Sequence, residues 1–309
     1  MNSMTTLGKV QEVLEEQSAA HWDDLIPVTD MEFVDLSTIE ISGSKHQLQP
    51  AAQRTIAQRL GVPLSYLQRC DTDLQQINLN TWLPKERNER LFLRFDGDSV
   101  RAIFTPRYTP VDHLAVLQQL REQRFVDRTP VQCKLDNEML LLSIPDRENA
   151  FHVKKNDEIQ PGISIVNSEV GVSSLTISAF CLRLVCTNGL ISRTSVDSSY
   201  RHISDRVLHE FPSILENVNY SLQDSRNSWQ ISINSPVVDS ESTLRSFNSR
   251  YGLDKRQIEA VEWAYPQEQG DSMFHIVNTY TKAAQYDPLN AEQSAGLQRT
   301  GGMVLAMLN

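Results

Sequence analysis

The sequence lacks the features that most readily name a function. It holds no run of about 18 apolar residues, so no membrane-spanning helix is expected. Its first twenty residues have neither the basic start nor the apolar stretch of a secretory leader, so the chain is expected to stay in the cytoplasm. Cysteine is scarce: Cys70, Cys133, Cys181 and Cys186 form no Cys-x-x-Cys pair and no zinc-like Cys/His spacing. Buried thiols in a reducing compartment are the expectation. The glycine-rich phosphate loop, the dinucleotide fingerprint and the nucleophile-elbow pattern are all missing. Seven histidines are scattered without a His-Glu-x-x-His pair; His202 and His209 are seven apart and have no third ligand nearby. These absences point to no cofactor, no metal and no catalytic residue, and to a binding role ahead of an enzymatic one.

What remains is an ordinary globular composition. The chain has 309 residues, 40% hydrophobic and 22% charged, enough for a sizeable core. Its formal charge of −10 argues against a general polyanion binder. The charge is uneven, however. Residues 1–50 carry two lysines against nine acids, whereas residues 81–134 carry ten basic residues against seven acids. Residues 174–206 add four arginines against two aspartates. Local patches decide phosphate contacts, so a mildly basic middle between acidic ends leaves nucleic acid open as a partner.

The pattern predicts an α+β fold: a central antiparallel sheet built from hairpins with a packed helix, flanked by N-terminal and C-terminal helices. We expect an acidic arm over 1–48, an α+β core over 49–206 and a mainly helical region over 207–309. Residues 1–25 read as one amphipathic helix through Val10, Val13 and Leu14. Pro50 opens a helix that Gly61 ends. The clearest hairpin runs from Glu89 to Phe104 around Asp96-Gly97. A helix over Val111 to Gln123 follows, then a second hairpin around Asp136-Asn137, then strands over Gly162 to Val166 and Ser173 to Val185. Asn188-Gly189 reads as a tight turn. Residues 221–243 read as a loop or an exposed hairpin around Trp229. Later helices are expected within Arg245 to Trp263, over Ser272 to Gln285, and from Asp287-Pro288 onward.

Two short stretches are distinctive: Gly162 to Gly171 (GISIVNSEVG) and Leu182 to Leu190 (LRLVCTNGL). Physically, Asn167, Ser168, Glu169 and Gly171 suit a strand-connecting turn, with side chains folding back on the backbone. A polar cluster contacting a ligand is the alternative, although a single glutamate lacks the second carboxylate of an acid/base or metal pair. Arg183 either covers the sheet, pairs with a carboxylate such as Glu169, or meets a phosphate. Together the stretches resemble the core of the phage/plasmid-like protein family, a bacterial family whose shared domain has no assigned function. Residues 49–67, the Arg107-Tyr108 step and Asn278 to Ala283 are similar to it more weakly. The resemblance implies a mobile-element context in a bacterial host cytoplasm, with replication, recombination or conflict with the host as the setting.

The leading expectation is a DNA-transaction protein of a phage or plasmid, binding or annealing single-stranded DNA in recombination or replication. It would act as a homo-oligomer, a ring or a filament, away from membranes. Arg107-Tyr108 lies between Pro106 and Pro110, where a rigid loop could present a cation beside a ring for phosphate contact and base stacking. Arg94, Arg101, Arg183, Arg193 and Arg201 are the further nucleic-acid candidates, with Asn167, Ser168, Glu169, Gly171, Asn188 and Gly189 as the structural signature. Two alternatives stand beside it: an interaction protein that inhibits or decoys a host defence enzyme, and a metal-dependent nuclease assembled from distant carboxylates.

Overall fold

The computed structural model describes residues 2–123, 125–154, 157–183, 188–191, 198–200, 210–213 and 227–308. It is a mixed α+β fold with two sheets whose pairings are antiparallel except for one. The N-terminal part runs β1 (Asn2–Thr6), α1 (Leu7–Ser18), β2 (His21–Pro27), β3 (Met31–Phe33), β4 (Thr38–Ile41), β5 (Ser44–Leu48), α2 (Pro50–Leu60), α3 (Leu64–Leu67) and α4 (Thr72–Trp82). Then come β6 (Arg90–Asp96), β7 (Ser99–Phe104), α5 (His113–Glu122), β8 (Pro130–Leu135) and β9 (Leu140–Pro145). The sheet continues with β10 (Phe151–Lys154), β11 (Asp157–Asn167), β12 (Leu175–Arg183), β13 (Asn188–Ile191) and β14 (Ser198–Tyr200). After helical residues at 210–213 and 227–234 come α6 (Ser240–Arg250), α7 (Lys255–Ala264), α8 (Met273–Ala283) and α9 (Ala291–Ala306).

The expected hairpins divide between the two sheets. An eight-stranded sheet runs β1-β8-β9-β11-β12-β13, with β10 beside β11 and β14 beside β12. A six-stranded sheet runs β2-β6-β7-β5-β4-β3, and β5 meets β7 in parallel. In the larger sheet the strand alternation buries both faces. Leu140, Leu142, Ile163, Ile165, Leu175 and Ile177 meet α1 and α5 through Leu7, Val10, Leu117 and Leu120. Leu141 and Val166 face Ala291 and Ala295 of α9. The smaller sheet packs Phe33, Ile39, Leu93 and Phe95 on α2 and α4 through Ile56 and Leu79. The C-terminal helices bury their own apolar set, including Trp229, Phe274 and Tyr280.

Several local expectations are corrected. Residues 1–25 are a strand, a helix and a strand, because β1 pairs with β8 and β2 pairs with β6 in register from His21↔Asp96 to Pro27↔Arg90. The acidic segment is thus woven into both sheets, and its helical spacing extends only over Leu7–Ser18. Asn188 and Gly189 are strand residues, paired with Arg183 and Leu182, not the tight turn the dipeptide suggests. Residues 227–234 are helical with Trp229 buried, where a loop or exposed hairpin is expected; its large apolar ring is sequestered among the C-terminal helices. The last helix begins at Ala291 under an Asn290 capping box, a few residues beyond Asp287-Pro288. Elsewhere the signals hold. Gly61 ends α2 at φ +70°, and Gly97 turns the β6–β7 hairpin at φ +52°. The two sheets meet where Val170 packs on Ala51 and Ala102, just after β11.

Candidate functional site

The segment leaving β11 crosses to the second sheet and holds itself in place. Ser168 Oγ donates to the Glu138 carbonyl at 2.7 Å and accepts from the N–H groups of Val170 at 3.3 Å and Val172 at 3.1 Å. Gly171 follows at φ +83°, where a Cβ would stand 2.7 Å from Phe104 Cε1. Both conformation and space therefore call for glycine there. Asn167, fully buried, donates through Nδ2 to the Val111 carbonyl at 2.9 Å and meets His113 Nδ1 at 3.0 Å. The turn thereby fixes the start of α5.

Glu169 is the centre of what this turn presents. Its Oε2 accepts from Arg101 Nη1 at 2.7 Å, and its Oε1 accepts from the His113 backbone N–H at 2.7 Å. The second contact places a carboxylate on the N-terminus of α5, where the helix dipole favours negative charge. His21 Nδ1 stands 4.0 Å from Oε2, and His113 Nδ1 stands 3.9 Å from Oε1. Burial pushes the Glu169 carboxyl up. The neighbouring His113 and Arg101, with the His113 N–H and Arg101 hydrogen bonds, more than offset this and hold it down at about 2. Burial pushes His113 down, and burial followed by the charge of Arg101 pushes His21 down.

Arg94, only 2% exposed, ties the two sheets together. Its Nε donates to Asp23 at 3.0 Å, its Nη2 to Asp112 at 2.5 Å, and its Nη1 to the Glu169 carbonyl at 3.2 Å. All three donor nitrogens are thus engaged, and burial notwithstanding, Asp112 and Asp23 raise its pKa above the ordinary value. Tyr108 OH reaches the Glu169 carbonyl at 3.4 Å, and its ring stacks on Phe104 at 3.8 Å. Burial pushes the Tyr108 hydroxyl well above its usual range.

Arg101 differs from Arg94. It is 5% exposed, yet its Nε and Nη2 are buried and have no hydrogen-bond partner. It lines a cavity of about 560 Å³ between the two sheets and the start of α5. His21, Gln49, Gln118, Leu114 and Ala115 share that lining, together with the carboxylates of Asp96, Asp112, Asp136 and Glu169. Leu114 and Ala115 belong to the first turn of α5, whose N–H groups have no intrahelical acceptor. Arg101 thus carries two donor nitrogens without a hydrogen-bond partner beside this turn, whose His113 N–H is already taken by Glu169. A cavity of this volume is of ligand size.

The expected site residues therefore separate. Arg94, Arg101, Tyr108 and Glu169 come together inside the molecule, with Asn167, Ser168 and Gly171 building the turn beneath them. Arg107 stands exposed at the loop tip, apart from them. Asn188 and Gly189 are placed on β13, and Arg183 is placed by its backbone on β12. Glu169, the carboxylate weighed as a partner for Arg183, is held by Arg101, and the Arg183 side chain lies outside what the structure describes. Arg193 and Arg201 lie outside the described residues. Sequence reasoning missed His21, Asp23, Asp112 and His113. The only signal for them was position: Asp112 and His113 open a helix directly after the Pro106–Pro110 loop. Among the described residues no group of three or more His, Cys, Asp or Glu is placed to hold a metal ion, and no helix is long and apolar enough to cross a membrane.

A family model described as a domain of unknown function, DUF932, matches residues 101–233 of the chain. The match begins at Arg101 and takes in α5, the Glu169 turn and β11 to β14. No curated protein and no solved structure matches the chain.

Proposed function

We propose that this chain is a binding protein of phage or plasmid DNA transactions that takes the terminal phosphate of single-stranded DNA into the cavity beside Arg101. The observation that carries the reading is the pair of unpartnered, buried donor nitrogens on Arg101. They call for an anionic oxygen group, because a buried donor left unsatisfied costs about 1–3 kcal/mol. A strand end suits the site better than the middle of a strand. A strand end can reach into the cavity that Arg101 lines, and the guanidinium must then turn its Nε and Nη2 toward it, because both are closed off in the structure. The cavity of about 560 Å³ has room for a nucleotide-sized group, and the carboxamides of Gln49 and Gln118 offer hydrogen bonds to its sugar or base. The mobile-element setting rests on the resemblance carried by GISIVNSEVG and LRLVCTNGL.

The test compares oligothymidylates bearing a 5′-phosphate, a 3′-phosphate or hydroxyl ends, by fluorescence anisotropy at two salt concentrations. A charge-assisted hydrogen-bond set on the end group predicts roughly ten-fold or more tighter binding of one phosphorylated form. Ser18→Glu places a negative charge at the cavity mouth and should erase that preference without touching the core. Equal binding of all three oligonucleotides would refute the reading.

A further inference from the structure

A second cleft, of about 600 Å³, opens on the other side of α2, between that helix and the segment joining α4 to β6. Its chemistry is distinct from that of the central cavity. Trp82, at the end of α4, is 44% exposed, and the Lys85 ammonium sits 4.0 Å from the centre of its ring. Arg87 is exposed along the same wall. Arg59 enters from α2, donating through Nη1 to Glu86 at 3.1 Å, while its Nε is buried without a partner. Glu86 is occupied: it also accepts from the Asn88 backbone and side chain at 3.1 and 2.8 Å. These contacts hold its carboxyl down against burial, so its charge is spent locally. Three cations against one committed carboxylate leave the cleft positive in a chain whose formal charge is −10.

We propose that this cleft binds a nucleotide unit of single-stranded nucleic acid, its base on Trp82 and its phosphates on Lys85, Arg87 and Arg59. An exposed indole already engaged by a cation, bordered by further cations, supplies both parts of sequence-tolerant strand binding: a stacking face and a phosphate track. Exposed Arg90, three residues beyond Arg87 and next to exposed Glu89, offers a passing strand one further cation beyond the cleft. Leu83, buried beside Trp82, anchors the platform in the smaller sheet's core, so Trp82 itself can be changed without opening the interior. This inference rests on the single-strand reading above but concerns a different set of residues.

The experiment is anisotropy titration of hydroxyl-ended oligothymidylate, which bypasses any terminal phosphate, into the full chain at about 50 and about 200 mM salt. Trp82→Ala should weaken binding about ten-fold or more, and Trp82→Phe should restore most of it, since stacking survives in phenylalanine. Lys85→Glu with Arg87→Glu should weaken binding further and flatten the salt dependence. No binding by the wild type at the lower salt overturns the proposal, as does equal binding by Trp82→Ala. Competition by adenosine monophosphate as strong as by the oligonucleotide would overturn the strand assignment in favour of a free nucleotide. A 5′-phosphate preference that persists in Trp82→Ala would leave the central cavity's role intact, so the two claims fail separately.

Discussion

Replacing Glu169 by glutamine removes one charge from the junction of the two sheets and changes little else. The glutamine carbonyl can still accept from the His113 N–H, but Arg101 loses its counter-charge inside the protein. The magnitude follows from two routes. Holding the Glu169 carboxyl at about 2, against an ordinary value of 4.5, corresponds to about 3 kcal/mol of stability from linkage. Breaking a buried ion pair from one side costs about 3–5 kcal/mol. The pKa is depressed in the folded state, so this contribution is full above about pH 5 and is lost as pH falls toward 2. Urea unfolding followed by circular dichroism, repeated from pH 7 down to pH 3, reads both effects. Glu169→Gln should lose about 3 kcal/mol at pH 7, and its deficit against the wild type should shrink steadily below pH 5. Adding Arg101→Met to Glu169→Gln should recover part of the loss, because the stranded charge is then removed as well. A deficit below about 0.5 kcal/mol at pH 7, or one that does not change with pH, would refute the reasoning.

Two further variants probe the frame around the site. Gly171→Ala forces a side chain onto φ +83° and its Cβ to within 2.7 Å of Phe104 Cε1. It should cost about 2 kcal/mol and disturb the Phe104–Tyr108 stack, read as a lower melting temperature and altered near-ultraviolet dichroism. Asn278 on α8 is fully buried with both amide atoms unpartnered, so Asn278→Leu, similar in shape, should raise stability by about 1 kcal/mol in urea unfolding. A fall in stability would show that the amide has a partner worth keeping.

Much of the fold was legible because its signals are local. The Asp96-Gly97 hairpin and the Pro50-to-Gly61 helix each carry their own turn or start and stop chemistry. The N-terminal region was not legible in the same way. Its strands β1 and β2 are defined by partners far along the chain, β8 and β6, and His21 to Pro27 shows no clean alternation because it is mostly exposed on an edge. Trp229 was misplaced for a similar reason: serine and asparagine around it resemble a loop, while burial of one large ring decides for helix. At the site, the turn from Asn167 to Gly171 stood out in the sequence as a turn. Its electrostatic role did not, because Arg101 and His113 approach Glu169 from 68 and 56 residues away. Arg94 and Arg101 were singled out as basic hairpin residues, and only the second sheet-to-sheet contact shows that they face inward. Arg107 alone among that hairpin-and-loop group remains a surface cation.

The central claim is that the Arg101 cavity receives a strand's terminal phosphate. Calorimetric titration of a 5′- or 3′-phosphorylated trithymidylate, and of its hydroxyl-ended form, into the wild type and into Arg101→Lys tests it most directly. Lysine keeps a cation beside Glu169 but withdraws the free Nε and Nη2 donors, and Ser18→Glu serves as the control that leaves the core untouched. The prediction is that one phosphorylated form binds the wild type more tightly than the hydroxyl-ended form, and that this difference is lost in both variants. Equal affinity for phosphorylated and unphosphorylated ligands in the wild type, or an undiminished phosphate preference in both variants, would contradict it.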